Sequence, residues 1–234
     1  MPLKTFGASE FNSSTPIKVE PLTIKGFAKF GSIVSPDEEI ATSATNTNAT
    51  ATANANYGTA IKLRKVSQVA NHFSQSSSPQ SQSTNLNIFR CFPPIHAMSN
   101  ITNHSFQYTG KVLERHRYSS QTFTPMGRAR NKVGYIVVCC LSDDDDPNKL
   151  PDPQTIEAFY CMANQAVTYG PGTWHAPMIA VSEGFGSEVS VKPHDFLDFQ
   201  VLISENDVDD DDCQECYFEP GFVLSMEGSE IIKD

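Results

Sequence analysis

Short apolar runs of strand type recur along the chain. They are Ile61–Val66, Leu86–Phe92, Lys111–His116, Gln121–Pro125, Val133–Leu141, Ala166–Tyr169, Ala176–Val181 and Phe196–Ile203. Turn signals separate them, the pattern of a sandwich or barrel rather than of alternating strands and helices. Helix is scarce: Ile156–Met162 fits either a buried strand or one helical turn, and Pro16–Phe30 offers an N-terminal strand and a short helix. Between the runs lie stretches with no apolar period. Ile40–Asn56 is mostly Ala, Thr and Asn, and Ser74–Asn85 is mostly Ser and Gln, so neither buries enough apolar surface to offset the entropy of ordering it. The acidic runs Asp143–Asp146 and Asp209–Asp212 repel themselves into solvent. The resulting expectation is all-β with minor flanking helices: an N-terminal extension over 1–17, one domain over 18–227 with loop inserts near 36–57, 74–85, 142–153 and 204–212, and a tail over 228–234.

Composition narrows the function. At 234 residues the chain holds one domain with decorations, or at most two small ones. A formal charge of -10 leaves no basic stripe for phosphate, so nucleic acid is not an expected partner and a small soluble ligand is. No segment reaches the ~18 apolar residues of a membrane span, and the N-terminus lacks the basic and apolar regions of a signal peptide, so the expected location is cytoplasmic. Six cysteines, two of them adjacent at Cys139 and Cys140 in an apolar run, suit buried thiols better than a disulfide framework. Asn-x-Ser/Thr sites such as Asn48 and Asn100 are then coincidental.

The chemistry concentrates in two places. In Tyr169-Gly-Pro-Gly-Thr-Trp-His-Ala-Pro-Met178 a Gly/Pro-rich turn delivers His175 beside Trp174, the single tryptophan. Upstream, strand alternation puts Glu114 and His116 on one face and Arg115 and Arg117 on the other, with Gln121 a few residues on. The spacing Glu114-x-His116-x4-Gln121-x5-Gly127 resembles the first cupin motif, His-x-His-x4-Glu-x6-Gly, with Glu for the first His and Gln for Glu. Gly172-x-x-His175 resembles the end of the second, Pro-x-Gly-x-x-His. Bland readings compete: an isolated His is usually a satisfied core or turn residue, and Glu114 could pair with a neighbouring Arg on a solvated strand. The match between the two clusters is what favours a site. Cys213-Gln-Glu-Cys216 has half of a zinc spacing but no second pair, so structural thiols are expected there, and the acidic runs lack a calcium loop's spaced ligands. His72, His96, His104 and His194 have no recognisable partners in sequence.

Beyond these motifs, Val112-Leu-Glu-Arg-His116, Ser120-Gln-Thr-Phe-Thr-Pro-Met-Gly-Arg128, Ala158-Phe159, Gln165 to Met178 and Asp195-Phe-Leu197 strongly resemble the ureidoglycolate lyase family, in the form of a fungal member. The likeness is weaker through Gly26–Gly31 and Arg90–Pro94, and Ala166 stands where the family has Gly. The resemblance implies a cupin double-stranded β-helix, a homodimer, and cleavage of (S)-ureidoglycolate to glyoxylate and urea in allantoin breakdown. Such a reaction needs a base for the hydroxyl proton, an acid for the leaving nitrogen and an electrostatic anchor. His116 and His175 are the expected metal ligands or proton carriers, Glu114 the base or a ligand, and Gln121 a hydrogen-bonding group or fourth ligand. Tyr169 and Trp174 are expected in the pocket wall, and Arg90 or Arg128 opposite the substrate carboxylate. A divalent metal such as Ni, Mn or Zn suits this set, and a metal-free site remains open. An amidohydrolase releasing ammonia from the same substrate, or a non-catalytic cupin binding a small acid, would carry similar residues.

Overall fold

The computed structural model describes residues 1–11, 15–45, 51–102, 105–185 and 195–227. In chain order the elements are β1 (Lys4–Gly7), β2 (Ile17–Pro21), α1 (Ile24–Phe27), β3 (Gly31–Val34), α2 (Pro36–Thr45), β4 (Ala51–Ala55), β5 (Ala60–Leu63), β6 (Ser83–Cys91), β7 (Met98–Ser99) and β8 (Ser105–Arg115). They continue with β9 (Gln121–Met126), β10 (Val133–Cys140), β11 (Glu157–Met162), β12 (Ala166–Tyr169), β13 (Trp174–His175), β14 (Ile179–Ala180), β15 (Leu197–Glu205), α3 (Asp209–Asp212) and β16 (Gln214–Glu227).

Six strands close into a mixed ring, β16-β2-β11-β10-β13-β8, because β8 pairs with β16 as well as with β13. A second sheet, β3-β12-β9-β15-β6, packs on one side of that ring. The fold is an all-β, cupin-like barrel. Strand β10 shows why its sequence is apolar throughout. Ile136, Val138 and Cys140 point into the ring with Leu113, Ala158, Trp174, Cys216, Phe218 and Leu224, whereas Tyr135, Val137 and Cys139 point outward to meet Phe123, Val167, Phe199 and Val201 of the second sheet. A strand covered on both faces has no solvent side, so alternation disappears from its sequence.

The pattern of apolar runs misses several elements. The segment assigned as an N-terminal extension carries β1, which lies parallel to β16 and buries Phe6 against Phe218. Ile156–Met162 resolves as strand β11, in register with β10. The first low-complexity insert is not wholly loop: it carries helix α2 and strand β4, the latter paired with β5. Asp37, Glu38 and Glu39 suit the positive end of α2, and Glu38 accepts from the backbone N–H of Ile24. The second insert overlaps β6, since Ser83–Asn85 pair with Ile203–Glu205 of β15. Strand β16 was hidden by the charged and Pro/Gly interruption at Glu219–Gly221, although Cys216, Phe218, Phe222, Leu224 and Met226 are all buried. Ala176–Val181 is strand only at Ile179–Ala180. The expected tail over 228–234 lies outside the described residues, as do His104 and His194.

Candidate active site

The polar cluster forms where the ring faces the second sheet. On the ring, His175 in β13 is paired with Cys139 on one side and Glu114 on the other. Across from it, Tyr169 and Gln121 are register partners in β12 and β9. His116 follows the last residue of β8, and its carbonyl accepts from Gly172 N at 2.8 Å. That turn depends on Gly172, whose φ of 77° favours a residue without a Cβ. The ring of Tyr169 stacks on His175 with centroids 4.0 Å apart and 12° between planes, and the two imidazoles are 5.5 Å apart.

Backbone carbonyls orient both imidazoles. Nδ1 of His175 lies 2.9 Å from the Thr173 carbonyl oxygen, and Nδ1 of His116 lies 2.5 Å from that of Asp212. A carbonyl only accepts, so each Nδ1 carries the proton and each Nε2 presents a lone pair. Both Nε2 atoms are buried without a hydrogen-bond partner among the described residues, as are Gln121 Oε1 and the Tyr169 hydroxyl. Four such atoms in one cluster are costly unless a ligand meets them.

The surroundings are acidic and largely buried. Burial, with Glu215 opposite on β16, pushes the Glu114 carboxyl up to about 7. Burial and then the neighbouring His116 push His175 down to about 3. Burial also lowers His116, against the opposing pull of the Asp212 carbonyl and Glu205. The 3.7 Å approach of His175 Nε2 to Glu114 Oε1 is therefore no ion pair at neutral pH, because the imidazole is uncharged.

A family model described as ureidoglycolate lyase matches residues 14–225. The chain belongs to the ureidoglycolate lyase family. Among its relatives, the ureidoglycolate lyase of Saccharomyces cerevisiae is 43% identical over 213 residues, covering 88% of this chain and 96% of that one. The Schizosaccharomyces pombe ureidoglycolate lyase is 32% identical over 198 residues, covering 85% and 89%. That of Burkholderia mallei is 26% identical over 167 residues, covering 71% and 76%.

Of the residues singled out in this family member's sequence, Glu114, His116, Gln121, Tyr169 and His175 come together; Trp174, Arg90 and Arg128 do not join them. Trp174 follows the alternation of its strand and points into the ring, donating to the Lys149 carbonyl at 2.9 Å with the Arg115 guanidinium 4.5 Å above its ring. Arg90 forms a two-pronged pair with Asp198 at 2.8 and 2.9 Å, about 16 Å of strand from the Gln121 partner Ile203. Arg128 donates to the carbonyls of Val133, Gly134, Val181 and Phe196, at the end of β10 remote from Cys139. Neither arginine therefore faces the cluster. Glu215, Glu205 and the carbonyls of Thr173 and Asp212 also act on the cluster without being marked by any motif in the sequence. Carbonyl contacts carry no residue-type signal, and Glu215 gains its meaning only from its register opposite Glu114.

The donor set fits a divalent cation. Ligand atoms of Glu114, His116 and His175 lie within 4.8 Å of one another, and both imidazoles offer Nε2 while Nδ1 is held by a carbonyl.

Proposed function

We propose that the chain cleaves (S)-ureidoglycolate into glyoxylate and urea, using the cluster of Glu114, His116, Gln121, Tyr169 and His175. The observation that carries this reading is the group of four unpartnered buried polar atoms beside a carboxyl held at about 7. The ionised Glu114 takes the substrate hydroxyl proton. The O–H electron pair becomes part of the new carbonyl, the C–N bond breaks, and its pair goes to nitrogen. Glu114 then returns the proton to that nitrogen, so urea leaves and no water is consumed. A carboxyl with its pKa near neutral is suited to both transfers. His116 and His175 present acceptors, so neither is the proton donor. Tyr169 has a hydroxyl free to donate to the oxygen that gathers charge in the transition state. With Glu114 acting as the base, His116, His175 and Gln121 would hold a divalent cation (Ni, Mn or Zn), which would acidify the hydroxyl and balance the acidic surroundings. All six cysteines are free, which supports a reducing, cytoplasmic location, and a homodimer belongs to the same proposal.

Product analysis tests the reaction. Purified protein is expected to give urea and glyoxylate in equal amounts, with loss of rate on adding a chelator. Ammonia in place of urea would make it an amidohydrolase; tight glyoxylate binding without turnover, under any of these metals, would make it a binding module. The pH profile tests the base. Because the Glu114 carboxyl is raised, its basic form is scarce below about 7, and kcat/KM is expected to rise with pH through that value. Glu114→Gln is expected to abolish this limb and lower turnover by on the order of 10²–10⁴. A Gln variant that keeps the limb assigns the titration to another group.

A further inference from the structure

His116 lies just beyond the last residue of β8, where its backbone carbonyl accepts from Gly172 N and its ring is left to side-chain contacts. What meets its Nδ1 is the carbonyl of Asp212, at the end of the acidic turn α3. This run was expected to be a solvated loop, yet it is tied down at several points. The backbone N–H groups of Asp211 and Asp212 both donate to the Val208 carbonyl at 2.9 Å. Asn206, only 3% exposed, sits at the centre. Its backbone N–H donates to Asp212 Oδ1 at 2.8 Å, its side-chain amide donates to Asp211 Oδ2 at 2.9 Å, and its Oδ1 accepts from Val208 N at 3.1 Å. From outside, the Ser76 hydroxyl donates to the same Asp211 oxygen at 2.6 Å. Ser76 belongs to the Ser/Gln-rich insert, which is thereby linked through Asp211 and the turn to the imidazole.

We propose that the turn from Asn206 to Cys213 is a positioning element for His116, and that Asp211 and Asn206 are positioning residues that keep the His116 Nε2 lone pair turned toward Glu114 and His175. The proposal rests on the catalytic reading of that cluster. If the Asp212 carbonyl moves away, Nδ1 loses its acceptor, and the ring either rotates or shifts its proton to Nε2. Either change removes the lone pair from the site. Partners of this kind, which orient a functional His through its other nitrogen, typically change affinity or activity by about 10–100-fold when lost.

The test uses the full chain. Asp211→Ala removes the acceptor shared by Ser76 and Asn206; kcat is expected to fall about 10-fold with KM nearly unchanged, and ¹⁵N NMR of the histidine side chains is expected to show His116 losing its Nδ1-protonated form. Asp211→Asn, which keeps one acceptor oxygen, is expected to recover most of the rate. Ser76→Ala, which deletes a single partly exposed hydroxyl, is expected to lower kcat about 2–5-fold and decides the matter should Asp211→Ala not fold. Folded Asp211→Ala, or in its absence Ser76→Ala, with wild-type kcat and an unchanged His116 tautomer overturns the proposal. His116→Ala in the same assay separates the two levels of argument. If it turns over normally, the catalytic reading of the cluster fails. If it is inactive while Asp211→Ala is normal, the positioning role alone fails.

Discussion

His175→Ala is expected to lower turnover of ureidoglycolate by a factor on the order of 10²–10⁴ while moving the melting temperature by only a few degrees. The reasons for the split lie in the contacts. The imidazole contributes a stacked contact with Tyr169, worth about 0.5–1.5 kcal/mol, and its removal leaves a small cavity. It also takes away a buried Nε2 that has no partner among the described residues, which relieves a desolvation cost and offsets part of that loss. The chemistry has no such compensation, because a lone pair facing Glu114 and His116 is gone. His96→Ala is the control, since His96 is exposed and lines a different cavity, beside Met98, Tyr108 and Lys111. Comparable turnover in the two variants would remove His175 from the mechanism.

The preceding residue should behave in the opposite way. Trp174 is the largest fully buried side chain of the ring interior, and it both donates to the Lys149 carbonyl and stacks under Arg115. Trp174→Ala is expected to cost about 3–5 kcal/mol, roughly 6–20 °C in melting temperature for a chain of this size. Well below the melt, the folded fraction should turn over substrate within about tenfold of the parent, because the indole is on the face of β13 that points away from His175. An unchanged melting temperature with turnover lost would instead put the indole in the substrate pocket. Scanning calorimetry alongside the urea assay separates the two.

These adjacent residues also show how far the sequence is legible. The spacing from Glu114 to Gln121 and the turn before His175 identify five residues that do converge, because strand periodicity and a Gly-dependent turn are local properties. The same alternation rule, applied to Trp174 and His175, already places them on opposite faces. What it leaves open is which face belongs to the ring and which to the second sheet, since that depends on β8 closing onto β16 across a long stretch of chain. Arg90 and Arg128 illustrate a second limit. A cation free in the sequence is claimed in the fold by the nearest acceptors, here Asp198 and a group of strand-end carbonyls. The acidic turn illustrates a third. Composition alone predicts a solvated loop at Asp209–Asp212, and Asp209 and Asp210 are indeed exposed, but Asn206 and Ser76 supply partners to Asp211 and Asp212, and such pairings follow from tertiary placement.

The proposed mechanism puts substrate chemistry between the ring and the second sheet, at the two carbonyl-oriented histidines. The most direct measurement is ¹⁵N NMR of the histidine side chains while glyoxylate, the expected product, is titrated into the metal-loaded protein. Saturable changes are expected at His116 and His175, removed by His175→Ala, with His72 and His96 unmoved. Changes centred on His96, with His116 and His175 silent, would place the ligand in the cavity beside Tyr108 and Lys111 and remove the two histidines from the chemistry.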